Sequence, residues 1–247
     1  MPEGMIVDDP FPAGLVEDWS KLFLSEDSRQ PVEDTYAAVF EGGLTFPLQR
    51  KIELAYMMQI ARSYSPQVVC EIGADRAGGL YHWCKSLPTV KKVIACEIRG
   101  TPYKYEFEKA FPHIQFLWIE ESSFGDGVLD RVATFANDID CLFIDGDKCF
   151  FDLDFINFLQ LMSDHSVAFM HDITDCNPGD AFKRVRKDFA YKLSGSYEVI
   201  DKLEGYEARA KSLRGEKMNN AHEAWLAHWG GSSCGVGVLQ IDKNKGK

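Results

Sequence analysis

The side chains best suited to chemistry in this chain each follow a short apolar run. Asp145 and Lys148 come after one such run, and His171 and Asp172 come after the next. Carboxylates and imidazole are metal ligands, and lysine or histidine can remove a proton from a reacting group if its pKa is suitable. We therefore interpret Asp145, His171 and Asp172 as candidate metal ligands, and Lys148 and His171 as candidate bases.

The metal itself is open at this stage. Magnesium prefers oxygen ligands, whereas imidazole also suits manganese, zinc, iron or nickel. Three alternatives stand: a metal held by Asp145 and Asp172 beside His171, a softer metal that His171 also binds, and no metal. Without a metal, His171 is the better base, because neighbouring carboxylates keep the proton on Lys148.

A glycine-containing turn earlier in the chain points to a cofactor. The turn runs from Gly73 to Gly79, after the apolar run Val68–Ile72, and leads into a predicted helix. Glycine lets backbone N–H groups approach a ligand closely, and a helix start carries a positive dipole end. Glu97, at the end of the next apolar run, is placed to accept hydrogen bonds from a ribose. The pattern predicts an adenine-nucleoside cofactor.

The turn favours S-adenosylmethionine over NAD. A nicotinamide fingerprint needs a middle glycine, and here Asp75 stands at that position, where it and Arg76 would crowd a pyrophosphate. Glu71, two residues before Gly73, suits a cationic amino acid instead. S-adenosylmethionine carries both an ammonium and a sulfonium group.

The elements that position these residues alternate regularly. Five short apolar strands, each followed by a helical pattern, indicate an α/β fold with a parallel sheet covered on both faces. We divide the chain into an N-terminal extension, residues 1–46, and a domain over residues 47–247 with a helical insert at about 203–231. The extension is interpreted as a lid or an oligomer contact, so a homo-oligomer stays open.

The order and spacing of these motifs resemble class I S-adenosylmethionine-dependent methyltransferases, in particular the small-molecule and sugar O-methyltransferases. The resemblance covers roughly residues 47–200. It implies a Rossmann-like, mostly parallel sheet with an antiparallel last strand. It also implies that Glu71 binds the amino acid end of the cofactor, Glu97 the ribose, and Glu121 with Ser122 the adenine. The cofactor-binding residues predicted in this way are Glu71, Gly73, Ala74, Gly78, Glu97, Glu121, Ser122 and Asp145.

The same resemblance extends to the chemical site. In catechol-type methyltransferases an Asp ending the fourth strand and an Asp-Asn pair ending the fifth hold magnesium, and a lysine three residues after the first Asp is the base. Asp145 and Lys148 match this pattern, whereas His171-Asp172 departs from it. The implied activity is methyl transfer to a hydroxyl group of a small molecule or sugar. The alternatives are a cofactor-binding protein without methyl transfer and an NAD-dependent oxidoreductase.

Composition excludes several other classes. The formal net charge of -11 argues against a general nucleic-acid-binding protein, which needs a basic surface. No apolar run reaches the ~20 residues of a membrane span. The 7 cysteines contain no C-x-x-C pair, which is typical of free thiols in a reducing compartment. We therefore expect a cytoplasmic protein without a membrane partner.

Overall fold

The computed structural model describes residues 5–6, 38–40, 43–45, 47, 49, 51–174, 176–201 and 235–245. Ten strands lie in this part of the chain: β1 Met5–Ile6, β2 Ala38–Phe40, β3 Gly43–Thr45, β4 Val68–Ile72, β5 Lys92–Cys96, β6 Gln115–Ile119, β7 Ile139–Ile144, β8 Met162–His171, β9 Leu193–Asp201 and β10 Val236–Asp242. Its α-helices are α1 Lys51–Ser63, α2 Gly78–Ser86, α3 Lys104–Ala110, α4 Val128–Phe135, α5 Phe151–Leu159 and α6 Cys176–Asp188.

One sheet of eight strands organises the fold, in the order β1-β9-β10-β8-β7-β4-β5-β6. The five strands from β8 to β6 are mutually parallel, and β10 runs antiparallel between β8 and β9. The chain leaves β4 towards β5 on one side and later returns to β7 on the other. The strand order therefore reverses between β4 and β7, which is where an open α/β sheet binds its ligand.

Apolar layers cover both faces of the sheet. On one face, Trp83 of α2 packs with its ring centroid 5.9 Å from Phe143 and 6.0 Å from Phe169. On the other face, α5 buries Phe155 and Phe158 completely. Burial of each such side chain contributes on the order of 1.5–3 kcal/mol. This packing on both faces fixes the central strands and the positions of their carboxyl ends.

The predicted α/β fold, with its antiparallel last strand, is confirmed. Strand β8 is longer than predicted, since the apolar run predicts a strand at Val167–Met170 whereas β8 already begins at Met162. Its polar start, including exposed His165, pairs through the backbone with Asp242 of β10, and backbone pairing leaves no apolar signal in the sequence. The predicted insert at 203–231 lies outside the described residues, as does most of the extension 1–46.

The cysteines agree with the sequence prediction where they are described. Cys70, Cys84, Cys96 and Cys141 are buried and free, and Cys149 is exposed and free. Among the described helices, none is long and apolar enough to cross a membrane.

Candidate functional site

A cavity of about 910 Å³ opens at the carboxyl ends of β4, β5, β7 and β8. Every residue predicted from the sequence for the cofactor, the metal or the base lines it. The topology brings these residues together because parallel strands end at the same edge of the sheet. The roles assigned to them remain predictions.

The turn after β4 is tightly constrained. Gly73 has a φ of +85°, and a Cβ atom there would lie 2.4 Å from the backbone oxygen of Asp145. Its N–H donates to the carbonyl of Cys96 at 2.8 Å. Ala77 also has a positive φ, 62°, immediately before α2. Left-handed backbone at a non-glycine residue costs free energy and is concentrated at functional sites.

Glu71 is a buried acid at the floor of this turn. The residue is 2% exposed, and Oε2 has no hydrogen-bond partner among the described residues. Burial, followed by the charge of Asp145, raises the pKa of Glu71 well above its ordinary value. A Cβ on Gly79 would lie 2.7 Å from Oε1, so the glycine at the start of α2 leaves room for this carboxyl. An unsatisfied buried acceptor suits a ligand that brings a donor or a cation.

Glu97 follows β5 and is 6% exposed. Its Oε2 accepts from the backbone N–H of Asp75 at 2.9 Å, and Oε1 accepts from that of Arg99 at 3.1 Å. Each carboxylate oxygen can accept a second hydrogen bond, so the group is held in place and still has capacity for a diol. The geometry is compatible with the predicted contact to a ribose.

Glu121 and Ser122 lie in the loop after β6. The carboxylate of Glu121 forms an ion pair with Arg131, and the hydroxyl of Ser122 accepts from the backbone N–H of Phe124 at 3.2 Å. Both residues line the cavity. Their functional groups are therefore partly engaged within the loop itself.

Asp145 is the centre of the chemical site. Its Oδ2 accepts from Nε2 of Gln49 at 2.7 Å, and its Oδ1 lies 2.8 Å from Nζ of Lys148 and 3.2 Å from Nδ1 of His171. Burial alone would raise the pKa of Asp145, but the two cations lower it below its ordinary value. The carboxylate is therefore charged at neutral pH.

Lys148 joins the two site carboxylates. Besides Asp145, its ammonium forms an ion pair with Asp172, and it lies 5.1 Å from the centre of the Phe151 ring. Burial would lower the pKa of Lys148, but the charges of Asp145 and Asp172 raise it above its ordinary value. Asp172 itself has a φ of 56°, so strained backbone places its carboxylate here. In this arrangement Lys148 is a cation and not a free base.

His171 is held on both sides by acids. Its Nδ1 lies 3.2 Å from Asp145 and 3.3 Å from Asp172, and its Nε2 lies 3.5 Å from Oε2 of Glu53. Burial lowers the pKa of His171, but the charge of Asp145 and the other acids outweigh it and raise the pKa well above its ordinary value. Glu53 is fully buried, and its Oε1 accepts from the N–H of Gly235 at 2.9 Å.

The predicted metal ligands meet the basic requirement for a metal site. One ligand atom from each of Asp145, His171 and Asp172 lies within 4.8 Å of the others. Two carboxylates and an imidazole suit manganese or a similar ion better than magnesium. The ammonium of Lys148 contacts both carboxylates and would compete with such an ion.

Sequence reasoning missed four residues that complete the site. Gln49 and Glu53 come from the segment around the start of α1, and Ser123 and Asp154 come from the β6–α4 loop and α5. Ser123 donates to Asp154 at 2.6 Å in a buried hydrogen bond. None of the four was predicted from the sequence, and the burial of Asp154 on α5 is visible only in the fold.

Comparison with known proteins supports the fold. No protein-family model matches the chain, and no curated protein matches it. Among solved structures, an O-methyltransferase from Bacillus cereus in complex with SAH is similar over 92% of this chain and 97% of that one, with 10% identity and a TM-score of 0.50. The O-methyltransferase TomG from Streptomyces achromogenes, in complex with SAM, covers 92% and 96% with 12% identity and a TM-score of 0.49. The similarity to the Bacillus cereus structure supports the predicted fold, a Rossmann-like and mostly parallel sheet with helices on both faces. Fold alone does not establish the reaction.

Proposed function

We propose that this protein is an S-adenosylmethionine-dependent methyltransferase that acts on a hydroxyl group of a small molecule or sugar. The proposal rests on the arrangement of the cavity. A single cavity joins the strained turn and its two buried acids, Glu71 and Glu97, to the charged group formed by Asp145, Lys148, His171 and Asp172. Cofactor binding and acceptor chemistry can therefore take place in one cavity.

The cavity residues fit the proposed cofactor. The orphaned oxygen of Glu71 offers an acceptor to an ammonium group, and Glu97 has capacity for the ribose hydroxyls. When bound, S-adenosylmethionine supplies an electrophilic methyl group for in-line displacement. The contribution of the protein is then to position the acceptor oxygen and to accept its proton.

The charge of the site decides how that proton leaves. Lys148 and His171 are both cations held by carboxylates, so neither is a base until its partners change. A divalent ion, if bound, would be held by Asp145, His171 and Asp172, and it would lower the pKa of a bound hydroxyl. Displacement of the Lys148 ammonium from the two carboxylates would remove the charges that raise its pKa, so that it could lose its proton to solvent and face the cavity as a neutral amine. We therefore propose Lys148 as the base in the presence of a metal.

Calorimetric titration with S-adenosylmethionine, SAH and NAD⁺ tests the cofactor. We expect micromolar binding of the first two and none of NAD⁺. Glu97→Gln should weaken SAH binding by about 10- to 100-fold, the cost of losing hydrogen bonds to a charged acceptor. Glu106→Gln, on α3 outside the cavity, is the matched control. Binding of NAD⁺ alone would replace the proposal with an oxidoreductase.

A second candidate is a cofactor-binding protein that does not transfer methyl groups. The protonated state of both candidate bases favours it. A panel of hydroxyl acceptors, assayed for SAH formation with and without Mn²⁺, distinguishes the two. Formation of SAH that Asp145→Asn abolishes supports the methyltransferase, whereas tight binding without turnover in any condition supports the binding protein.

A further inference from the structure

Glu53 is a buried acid behind the chemical site, and the function proposed above gives it no role. It lies in the first turn of α1, is fully buried and is not among the residues that line the cavity. Its Oε2 lies 3.5 Å from Nε2 of His171, and its Oε1 accepts from the backbone N–H of Gly235 at 2.9 Å. A buried acid needs polar partners, and one of these partners is a predicted metal ligand.

The two nitrogens of His171 face different partners. Nδ1 lies 3.2 Å from Oδ1 of Asp145 and 3.3 Å from Oδ1 of Asp172, whereas Nε2 is the nitrogen next to Glu53. The ring also packs against Phe143, with the centroids 6.1 Å apart and the planes at 66°. The imidazole therefore presents Nδ1, and not Nε2, to the two carboxylates with which it would share a metal ion.

The contact with Glu53 determines which nitrogen of His171 keeps a proton. A carboxylate accepts hydrogen bonds and cannot donate them, so the nitrogen beside it is favoured in its N–H form. A metal ion on Nδ1 takes the place of the proton there, and the ring is then neutral with its proton on Nε2. Histidine ligands are commonly oriented in this way by a hydrogen bond from the nitrogen that does not bind the metal.

Resting on the metal site of the proposed function, we infer that Glu53 is a positioning residue, which holds Nε2–H of His171 and so turns Nδ1 towards a divalent ion. The N–H of Gly235, just before β10, fixes the carboxyl group of Glu53 in turn. Gly235 has a φ of +68°, a conformation that favours glycine. The result is a site in which the imidazole adds to two carboxylates, a set that favours Mn²⁺ over Mg²⁺.

Glu53→Gln tests the inference because it changes one hydrogen bond and keeps the size of the side chain. The amide oxygen can still accept from Gly235, which turns the NH₂ group towards Nε2 and removes the acceptor for its proton. Calorimetry on the full chain without cofactor should show about 10- to 100-fold weaker binding of Mn²⁺. Binding of Mg²⁺ should change much less, because Asp145 and Asp172 supply the oxygen ligands that it prefers. Glu106→Gln, on α3 outside the cavity, should keep the wild-type ratio of the two affinities.

The ratio of affinities separates positioning from a general effect of charge. Loss of a nearby negative charge alone would weaken Mn²⁺ and Mg²⁺ to the same extent, and an equal fall would therefore overturn the inference. Glu53→Met removes the acceptor whichever way an amide would turn, and it should lower the ratio at least as far. A folded Glu53→Met variant with the wild-type ratio would also overturn the inference.

A measurement on the wild type decides the matter even if neither variant folds. With Zn²⁺ as a diamagnetic ion, long-range ¹H–¹⁵N NMR should show His171 bound through Nδ1 and protonated at Nε2. Coordination through Nε2, or a His171 signal that Zn²⁺ does not change, would contradict the assignment. Titration with SAH in parallel tests the proposed function separately, because protein that binds SAH but no divalent ion would overturn this inference alone. Protein that does not bind SAH would overturn the proposed function, and the metal results would still decide the role of Glu53.

Discussion

The raised pKa of Asp154 makes the stability of the protein depend on pH. Its pKa rises from 3.8 to about 6 on folding. A raised pKa favours the protonated acid, so this contribution to stability is complete below pH 4 and is lost as the pH rises through 6. The difference corresponds to about 3 kcal/mol, since a tenfold change in proton affinity is worth about 1.4 kcal/mol. Above pH 6 the folded protein therefore carries a charge that destabilises it.

Asp154→Asn removes this cost while it keeps the size of the side chain and the hydrogen bond from Ser123. We expect the variant to be more stable than the wild type by up to about 3 kcal/mol at pH 8, and nearly equal to it at pH 4. Urea unfolding at pH 4, 5, 6, 7 and 8 measures the difference, and comparison at each pH cancels the titration of all other groups. Asp130→Asn, at an exposed position in the first turn of α4, is the control and should not be stabilised at any pH. A difference between Asp154→Asn and wild type that does not change with pH would refute the reasoning.

Two further substitutions test the charged site and the turn. Lys148→Met removes the ammonium that contacts Asp145 and Asp172 and competes with a metal ion for them. Calorimetry should therefore show that Mn²⁺ binds the variant at least about tenfold more tightly than it binds the wild type. Unchanged affinity would mean that the two carboxylates do not hold the ion. Gly79→Ala introduces a Cβ 2.7 Å from Oε1 of Glu71 and should displace this carboxyl. We expect the affinity for SAH to fall by about tenfold. The unfolding midpoint should change little, because the flexible carboxyl can move aside. Wild-type affinity in that variant would contradict the role of Glu71.

The sequence predicts the scaffold of the site because that scaffold is local. Apolar runs of five or six residues give the central strands, and a residue that directly follows a strand must lie at the edge of the sheet. Glu97 and Asp145 directly follow β5 and β7 and are placed at the cavity by this rule, and His171, the last residue of β8, lies at the same edge. The sequence also predicts the glycine turn after β4. In the structure, Gly73 approaches the backbone that follows β7 so closely that a Cβ would not fit.

The rest of the site depends on contacts between distant parts of the chain. Glu53 reaches His171 from the first turn of α1, and nothing in the apolar pattern of that helix marks it as part of a site. The contact of Lys148 with Asp145 is local in the chain and can be predicted from the sequence. Its contact with Asp172 cannot, because Asp172 comes beside Asp145 only after β7 and β8 pair. Asp154 likewise gains its raised pKa from burial, which the folded structure determines.

A crystal structure of the SAH complex tests the central claim most directly. We expect SAH to lie in the cavity at the carboxyl ends of β4, β5 and β7, with its ribose hydroxyls on Glu97 and its amino group on the side of Glu71. The sulfur should then face the group formed by Asp145, Lys148 and His171, with room between them for an acceptor oxygen. SAH bound elsewhere, or with its sulfur turned away from Asp145, would contradict the proposed function.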